Sequence, residues 1–204
     1  MGLKKRIPVP DFVLSALSAR IVSFEKKELV FQKSTEKHLM GLVLEGLVYL
    51  CVENEAFERH ILQIFRPGDM LSQSMLAQVG YGSSYLITKS ASKLACFSRD
   101  SFLKFCLEHP GEIRVQKEAL FKDPQTELLS HSYILHQKSI REKLRVFLKR
   151  EQLLQGSEII ELPFPYADLA DYLSVDRTSM MKEIGKMKKE GLLAGKNHRL
   201  TLLF

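Results

Sequence analysis

Cysteine is scarce in this sequence, with three residues, Cys51, Cys96 and Cys106, in a chain of 204. They are widely separated and form no Cys-x-x-Cys pair, so neither a disulfide framework nor a cysteine-ligated metal site is indicated. This usage predicts buried thiols in a reducing compartment.

Long hydrophobic runs are also lacking. The most apolar stretch, residues 39–52, is shorter than a membrane span and contains Glu45. The N-terminal residues carry charge without an apolar run behind them, so no signal peptide is expected. We therefore expect a cytoplasmic protein that does not enter a membrane.

The sequence shows no Gly-rich phosphate loop, nucleophile elbow or His–carboxylate metal motif, so nothing in it supports an enzyme. The net charge is +6, and hydrophobic and charged residues make up 45% and 26%, as in an ordinary globular protein. Residues 137–204 hold 13 Lys and Arg against 9 Asp and Glu, so the excess positive charge is concentrated in this C-terminal third.

Short β-rich runs dominate the first half of the chain. They cover residues 28–32, 39–44, 47–52, 60–65, 85–88 and 93–97. Turn signals separate them, among them Glu45-Gly46 and Pro67-Gly68-Asp69. Many short strands at near-regular spacing predict a closed antiparallel barrel or roll.

A helical region follows from residue 98 to residue 155. In its middle, Phe121, Leu128 and Leu135 repeat every seven residues, which is typical of a helix–helix seam, although the stripe could also pack on its own domain. His131 falls three residues after Leu128 and would be a pH-sensitive group on this seam. Pro124 predicts a kink, or a fresh helix start capped by Asp123.

The residues from Asp168 to Leu193 read DLADYLSVDRTSMMKEIGKMKKEGLL. They predict a helix over 166–173, a turn, and a second helix from Arg177 that ends at Gly191. Asp176 can cap the second helix, and Met180, Ile184 and Met187 form its buried stripe. The pattern is typical of a helix-turn-helix, with an ordinary αα-hairpin as the alternative.

Polar and basic residues begin the second helix, and a basic hairpin follows it. In a helix-turn-helix, such N-terminal residues enter the DNA major groove, and a following hairpin makes a winged helix near phosphate. The candidate DNA-binding residues are Asp176, Arg177, Thr178, Ser179, Met181, Lys182, Lys196, His198 and Arg199.

At these residues the sequence resembles the helix-turn-helix of the cyclic-AMP receptor protein/FNR (Crp/Fnr) family of bacterial transcription regulators. GLVLEGLVYL, RPGDML and HQKSIREKLRVFL resemble, in the family's order, a β-roll strand pair, its Pro-Gly-Asp turn and the segment that joins the dimer helix to the DNA-binding domain. The likeness covers nearly the whole chain. It implies that Arg177 begins the recognition helix, while Thr178 and Lys182 replace a base-reading glutamate and a second arginine.

The resemblance departs from cyclic-AMP-binding members at the ligand pocket. Ser72-Gln73-Ser74 stands where those members have Gly-Glu-Leu, and no Arg or Lys lies between Arg66 and Lys89 to hold a phosphate. A buried phosphate without a cation would be costly, which argues against cyclic AMP. The candidate pocket residues are Ser72, Gln73, Ser74, Ser83, Ser84 and Tyr85. They could bind an unknown small-molecule effector, or side chains could fill the space.

An iron–sulfur cluster of the FNR type needs several N-terminal cysteines, and none precedes Cys51. Haem would need an axial ligand, and a lone histidine is more often simply a polar residue, so haem is not expected either. The histidines available are His38, His60, His131 and His136. No metal ligand set is identified.

The resemblance implies an α+β fold in three parts. These are a cyclic-nucleotide-binding-type β-roll (a double-stranded β-helix or jelly roll) over residues 1–110, a long dimerisation helix over 111–137 and a winged helix-turn-helix over 138–204. We expect a homodimer that binds palindromic double-stranded DNA, regulates transcription in response to a signal in the roll, and contacts RNA polymerase if it activates. The alternative is a small-molecule-binding or protein-interaction module whose winged helix no longer reads DNA.

Overall fold

The computed structural model describes residues 9–32, 38–56, 58–76, 78–79, 82–111 and 124–203. The chain forms two compact units, Lys4–Leu128 and Leu129–Phe204. Strands make up most of the first unit and helices most of the second. Among the described residues, no helix is both long enough and apolar enough to cross a membrane.

The N-terminal unit is a roll of antiparallel strands with a helix at each end. Its elements are α1 (Asp11–Ala16), β1 (Arg20–Phe24), β2 (Leu39–Glu45), β3 (Val48–Glu53), β4 (Arg59–Phe65), β5 (Met70–Ser72), β6 (Gln78–Val79), β7 (Gly82–Thr88), β8 (Ser92–Ser98) and α2 (Arg99–Glu108). The strands form two four-stranded sheets, ordered β1-β8-β2-β5 and β4-β3-β7-β6. The predicted β-roll is therefore confirmed.

Apolar side chains from both sheets form the core of the roll. Leu50 and Leu86 come from the second sheet and meet Leu94 of the first in one buried cluster. A second cluster packs α1 and α2 against the first sheet, through Val13 and Phe105. Burying one such side chain is worth roughly 1.5–3 kcal/mol, so a sheet packed on both faces is well fixed in position.

Two predicted turns depend on glycines with positive φ. Gly46, between β2 and β3, has a φ of 92°, and a Cβ there would lie 2.2 Å from Ser92 Oγ. Gly68 has a φ of 94°, and the neighbouring Asp69 carboxylate accepts a hydrogen bond from the Arg66 N–H at 2.8 Å. Both turns therefore lie where the sequence predicted them.

The strand predicted over residues 28–32 is wrong. Only an isolated bridge forms there, between Leu29 and Ile87, because Phe31 has a φ of 67° and breaks the extended backbone. Val30 and Phe31 are nevertheless buried in the core of the roll. At the edge of the first sheet, β8 pairs instead with β1, which begins at Arg20, and on its other side it pairs with β2.

The C-terminal unit combines four helices with a small sheet. Its elements, with α3 running across the boundary between the units, are α3 (Pro124–Leu135), α4 (Ile140–Gln155), β9 (Ile159–Glu161), α5 (Tyr166–Leu173), α6 (Arg177–Lys189), β10 (Leu193–Lys196) and β11 (Arg199–Leu202). Strand β11 pairs with both β10 and β9. The helix α3 is described from Pro124 onward, and the residues before it, including the proposed cap Asp123, lie outside the described residues.

Candidate nucleic-acid interface

The joint between α5 and α6 is a tight turn. Helix α5 ends at Leu173, and Ser174 follows in the left-handed region with a φ of 48°. The Asp176 carboxylate then accepts a hydrogen bond from the backbone N–H of Ser179 at 2.8 Å and caps α6. The same N–H lowers the pKa of the Asp176 carboxyl, so the cap is charged at neutral pH. The predicted turn and N-cap are confirmed.

Helix α6 has one buried and one exposed face. Met180, Ile184 and Met187 are at most 2% exposed, as the spacing predicted. The exposed residues at its start are Asp176, Arg177, Thr178, Ser179, Met181 and Lys182. The N-terminal half of α6 therefore presents to solvent the six candidate residues that the sequence placed there.

Arg141, in the first turn of α4, holds the other end of α6. Its Nη1 and Nη2 donate to the two carboxylate oxygens of Glu190 at 2.7 and 2.9 Å, and its Nε donates to Glu183 Oε1 at 2.5 Å. These bonds raise the pKa of Arg141 and lower that of Glu190. A forked Arg–carboxylate pair fixes geometry more than it adds stability at a surface. No local sequence pattern indicates this contact, since Arg141 and Glu190 are 49 residues apart.

Tyr172 forms the buried centre beneath the two helices. It is fully buried, and its ring stacks on the ring of His131 with the centroids 3.9 Å apart. The Nε2–H of His131 donates to the Tyr172 carbonyl at 2.7 Å, and Arg150 Nη1 donates to the tyrosine hydroxyl at 3.0 Å. Residues of α3 and α4 therefore hold α5 in place.

The burial of His131 corrects its expected place on the seam. The side chain is 4% exposed and points into its own C-terminal unit, so it is not available to a partner chain. Among the other expected seam residues, Leu128 is 45% exposed and Leu135 is partly buried, while Phe121 lies outside the described residues. The large apolar side chains most exposed on α3 are Leu129 and Tyr133, which are four residues apart and 72% and 63% exposed.

The wing is the hairpin of β10 and β11. Lys196 pairs with Arg199, so Asn197 and His198 form a two-residue turn. Lys196, His198 and Arg199 are all exposed. The guanidinium of Arg199 donates through Nε to Glu161 at 2.9 Å and lowers the pKa of that carboxyl. Its charge is therefore already partly balanced within the unit.

The wing tip is also tied to the first turn of α5. The ring of Tyr166 stacks on that of His198 at 5.8 Å, and its hydroxyl donates to the Asn197 carbonyl at 2.5 Å. The wing and the helix-turn-helix are thus connected within one unit. This is the arrangement in which a recognition helix and a wing can contact one duplex together.

The six candidate pocket residues of the roll do not share one face. Ser84 pairs with Val52 on the face of Leu86, which belongs to the core, and its hydroxyl donates to the Met75 carbonyl at 2.8 Å. Because side chains alternate along a strand, Ser83 and Tyr85 lie on the opposite face. There the Tyr85 hydroxyl donates to Glu53 at 2.8 Å, and burial raises its pKa.

The other three pocket candidates lie at the end of β5 and in the short 3-10 helix Gln73–Met75 that follows it. Gln73 Oε1 accepts from the Leu39 N–H at 3.3 Å, and the hydroxyls of Ser72 and Ser74 lie 2.9 Å apart. These groups therefore already bond to one another or to the backbone. Ser84 and the three residues at the β5 end stay candidate pocket residues, and the groups named above already have partners within the roll.

A buried amide that was not among the candidate pocket residues lies on β4. Gln63 is 3% exposed and pairs with Leu50 of the core, and its Oε1 has no hydrogen-bond partner among the described residues. A lone glutamine within the run HILQIF was the available signal. Among the described residues of the roll, this carbonyl is a buried acceptor that a ligand N–H or O–H could satisfy.

The part of the chain that the structure describes contains neither a cluster of metal-ligating side chains nor a disulfide. No group of three or more His, Cys, Asp and Glu side chains there could hold a metal ion. All three cysteines are free thiols, with Cys51 and Cys96 buried and Cys106 partly buried.

Two family models match the chain and together cover most of it. The cyclic nucleotide-binding domain matches residues 21–109, and the Crp-like helix-turn-helix domain matches residues 133–203. The first match covers the roll, and the second covers the joint, the recognition helix and the wing described above.

Individual relatives agree with these matches. The nitrogen fixation regulation protein FixK of Bradyrhizobium diazoefficiens is 26% identical over 90% of this chain and 78% of its own length. Among solved structures, a CooA mutant from Carboxydothermus hydrogenoformans superposes with a TM-score of 0.76 at 20% identity, covering 99% of this chain and 91% of that one. FixK2 from Bradyrhizobium japonicum gives 0.67 at 16% identity, covering 91% and 93%.

Proposed function

The chain belongs to the Crp/Fnr family of transcription regulators, and we propose that it binds palindromic DNA as a homodimer under the control of a signal in its β-roll. Members of this family are DNA-binding regulators, not enzymes, and we propose no catalytic activity for this chain. A DNA-binding regulator works in the compartment that holds the DNA, which supports a cytoplasmic location. If it activates transcription, RNA polymerase is the further partner we propose.

The exposed start of α6 carries this proposal. Arg177 and Lys182 lie on the solvent side of a helix whose opposite face is buried, and Asp176 and Arg141 fix its two ends. An arginine can bind guanine edges through two hydrogen bonds, while lysine and hydroxyl side chains contact bases or phosphates. The alternative of a winged helix that no longer reads DNA gains no support from the relatives.

The effector that we propose for the roll carries no phosphate. Ser84 and the unpaired Gln63 carbonyl offer neutral hydrogen-bonding groups, which suit an uncharged molecule with a donor.

The division of the chain into a roll, a linking helix over residues 111–137 and a DNA-binding domain is part of the same proposal. In this view an effector shifts the populations of two arrangements of the linking helices and so changes the spacing of the recognition helices.

Selection from a randomised inverted-repeat DNA pool tests the DNA-binding proposal. We expect the ligand-free full-length protein, or the protein with cell extract added, to enrich one palindrome whose half-sites lie about 34 Å apart. Fluorescence anisotropy should then give a Kd for that duplex far below the Kd for a scrambled one. Equal, salt-sensitive binding of both duplexes with and without extract would contradict specific recognition.

Leu129 and Tyr133, called here the exposed strip of α3, give a prediction about the dimer. Leu129→Arg places a charge on the side chain that is 72% exposed beside Tyr133, where we propose that the second copy packs. A charge buried without a partner in an interface is costly, so the variant should be monomeric where the native protein is dimeric. Sedimentation equilibrium measures this directly. Because binding through two half-sites is lost, affinity for the palindrome should fall about 100-fold or more.

Leu153→Arg is the matched control for this change. Leu153 lies on α4 and is 74% exposed, so the substitution adds the same charge at an equally open leucine away from the strip. It should leave the dimer intact. An L129R protein that dimerises like L153R would place the interface elsewhere.

A further inference from the structure

An apolar side chain stands in the middle of the polar face of α6. Met181 is 39% exposed, whereas Met180, Ile184 and Met187 of the same helix are at most 2% exposed. Within α6, Met181 is the large apolar residue that the fold leaves in contact with water. Single exposed apolar residues are common on protein surfaces, so the exposure of Met181 indicates a function only because of where the residue lies.

Met181 lies on the proposed reading surface. It follows Arg177 by four residues and Thr178 by three, and residues at these spacings are neighbours on one side of a helix. Lys182 is the next residue and is also exposed. When the start of α6 enters a major groove, the thioether therefore faces base edges together with Arg177 and Thr178.

The chemistry of the thioether restricts which base it can face. Methionine has no N–H or O–H to donate and is at most a weak acceptor. Guanine, adenine and cytosine present polar groups at the major-groove edge, which would lose water against it without gaining a good hydrogen bond. Thymine also presents a methyl group, which gains from leaving water.

We propose that Met181 reads a thymine in each half-site through an apolar contact with the C5-methyl group. The inference rests on the proposed function, since it needs the α6 surface to lie in a major groove. By the resemblance, Thr178 stands where the cyclic-AMP receptor protein carries a base-reading glutamate, so one charged base contact is replaced on this surface and a methyl contact selects part of the operator. Arg177 supplies the hydrogen-bonded part.

Exchanging thymine for deoxyuridine in the selected palindrome tests the contact, because it removes the methyl group and leaves every hydrogen-bonding group in place. Exchanging the contacted thymine in one half-site should weaken native binding about fourfold, the equivalent of one buried methyl group, and exchanging it in both half-sites should weaken binding about 15-fold. In Met181→Ala that difference should disappear, and in Met181→Leu it should persist. Anisotropy titrations of the full-length proteins on each substituted duplex give the ratios.

Thr178→Ser distinguishes the contribution of the Thr178 methyl group from that of the Met181 side chain. It deletes the threonine methyl and keeps the hydroxyl, and the deoxyuridine effect should survive it. An effect that vanishes in T178S and persists in M181A would overturn the inference in favour of Thr178. The inference would also be overturned if, at every thymine of the palindrome, exchange for deoxyuridine weakened binding equally in the native protein and in M181A. Failure to enrich any palindrome, by contrast, would overturn the proposed function itself and the inference with it.

Discussion

Replacing Arg177 by alanine is expected to weaken binding to the selected palindrome by roughly 1–3 kcal/mol, or about 5- to 150-fold, with a much smaller loss on random DNA. The side chain is exposed in the first turn of α6, immediately after the capping Asp176. Its guanidinium can make two hydrogen bonds to a guanine edge, and that pairing depends on the sequence. Anisotropy titrations of the variant on specific and scrambled duplexes measure both losses.

Two further variants separate base reading from charge. Arg177→Lys keeps the charge and loses the fork, so it should restore random-DNA affinity and recover only part of the specific affinity. Lys189→Ala removes a charge from the exposed last turn of the same helix, about 18 Å from Arg177 along the axis. It should leave specificity unchanged. Equal losses on both duplexes in R177A would mean that the residue contacts phosphate alone.

The helix-turn-helix could be predicted nearly to the residue because its signals are local. The spacing of Met180, Ile184 and Met187 identifies the buried face, and Asp176 lies three residues before the N–H that it accepts from. Every one of these relations falls within about two helical turns. Sequence periodicity therefore contains the information that fixes them.

The contacts that orient these helices could not be predicted in the same way. Arg141 and Glu190 are 49 residues apart, and His131 and the carbonyl it binds are 41 residues apart. Its spacing of three from Leu128 placed His131 on the helix–helix seam, but packing against Tyr172 buries it within the C-terminal unit. Such pairings depend on tertiary packing, which overrides local pattern.

In the roll, the strands could be predicted from local pattern, but their register could not. Five of the six predicted strands are present, because alternation and turn residues mark them. Whether Ser83, Ser84 or Tyr85 faces the core depends on pairing with β3, and a shift of one residue reverses every side chain. The positive φ of Phe31, which removes the sixth predicted strand, leaves no trace in the hydrophobic pattern.

Tyr172→Ala is expected to destabilise the C-terminal unit by about 3–5 kcal/mol, the range for removing a fully buried large aromatic side chain. The tyrosine is fully buried, and its ring packs on His131 and lies 5.8 Å from the ring of Phe147. Alanine would leave a cavity where α3, α4 and α5 meet. The loss is comparable to the whole stability of many small domains, so α6 should lose its fixed orientation.

Hydrogen exchange on the full-length protein locates this effect. In Y172A the amides of α4, α5 and α6 should lose protection, whereas those of strands β2, β3 and β8 should keep theirs, because the roll has its own core. Tyr172→Phe is the matched variant: it keeps the ring and loses the hydrogen bond that Arg150 donates to the hydroxyl, so it should cost only about 1 kcal/mol.

The comparison of these two variants decides what Tyr172 does for DNA binding. If the buried ring orients the recognition helix, Y172A should bind the palindrome and scrambled DNA almost equally, while Y172F should keep its preference for the palindrome. Equal loss of protection in the roll and in the C-terminal unit of Y172A would contradict this, because it would mean that the two units unfold together. Specificity would then depend on the stability of the whole chain and not on the packing of His131 and Tyr172 beneath the reading surface.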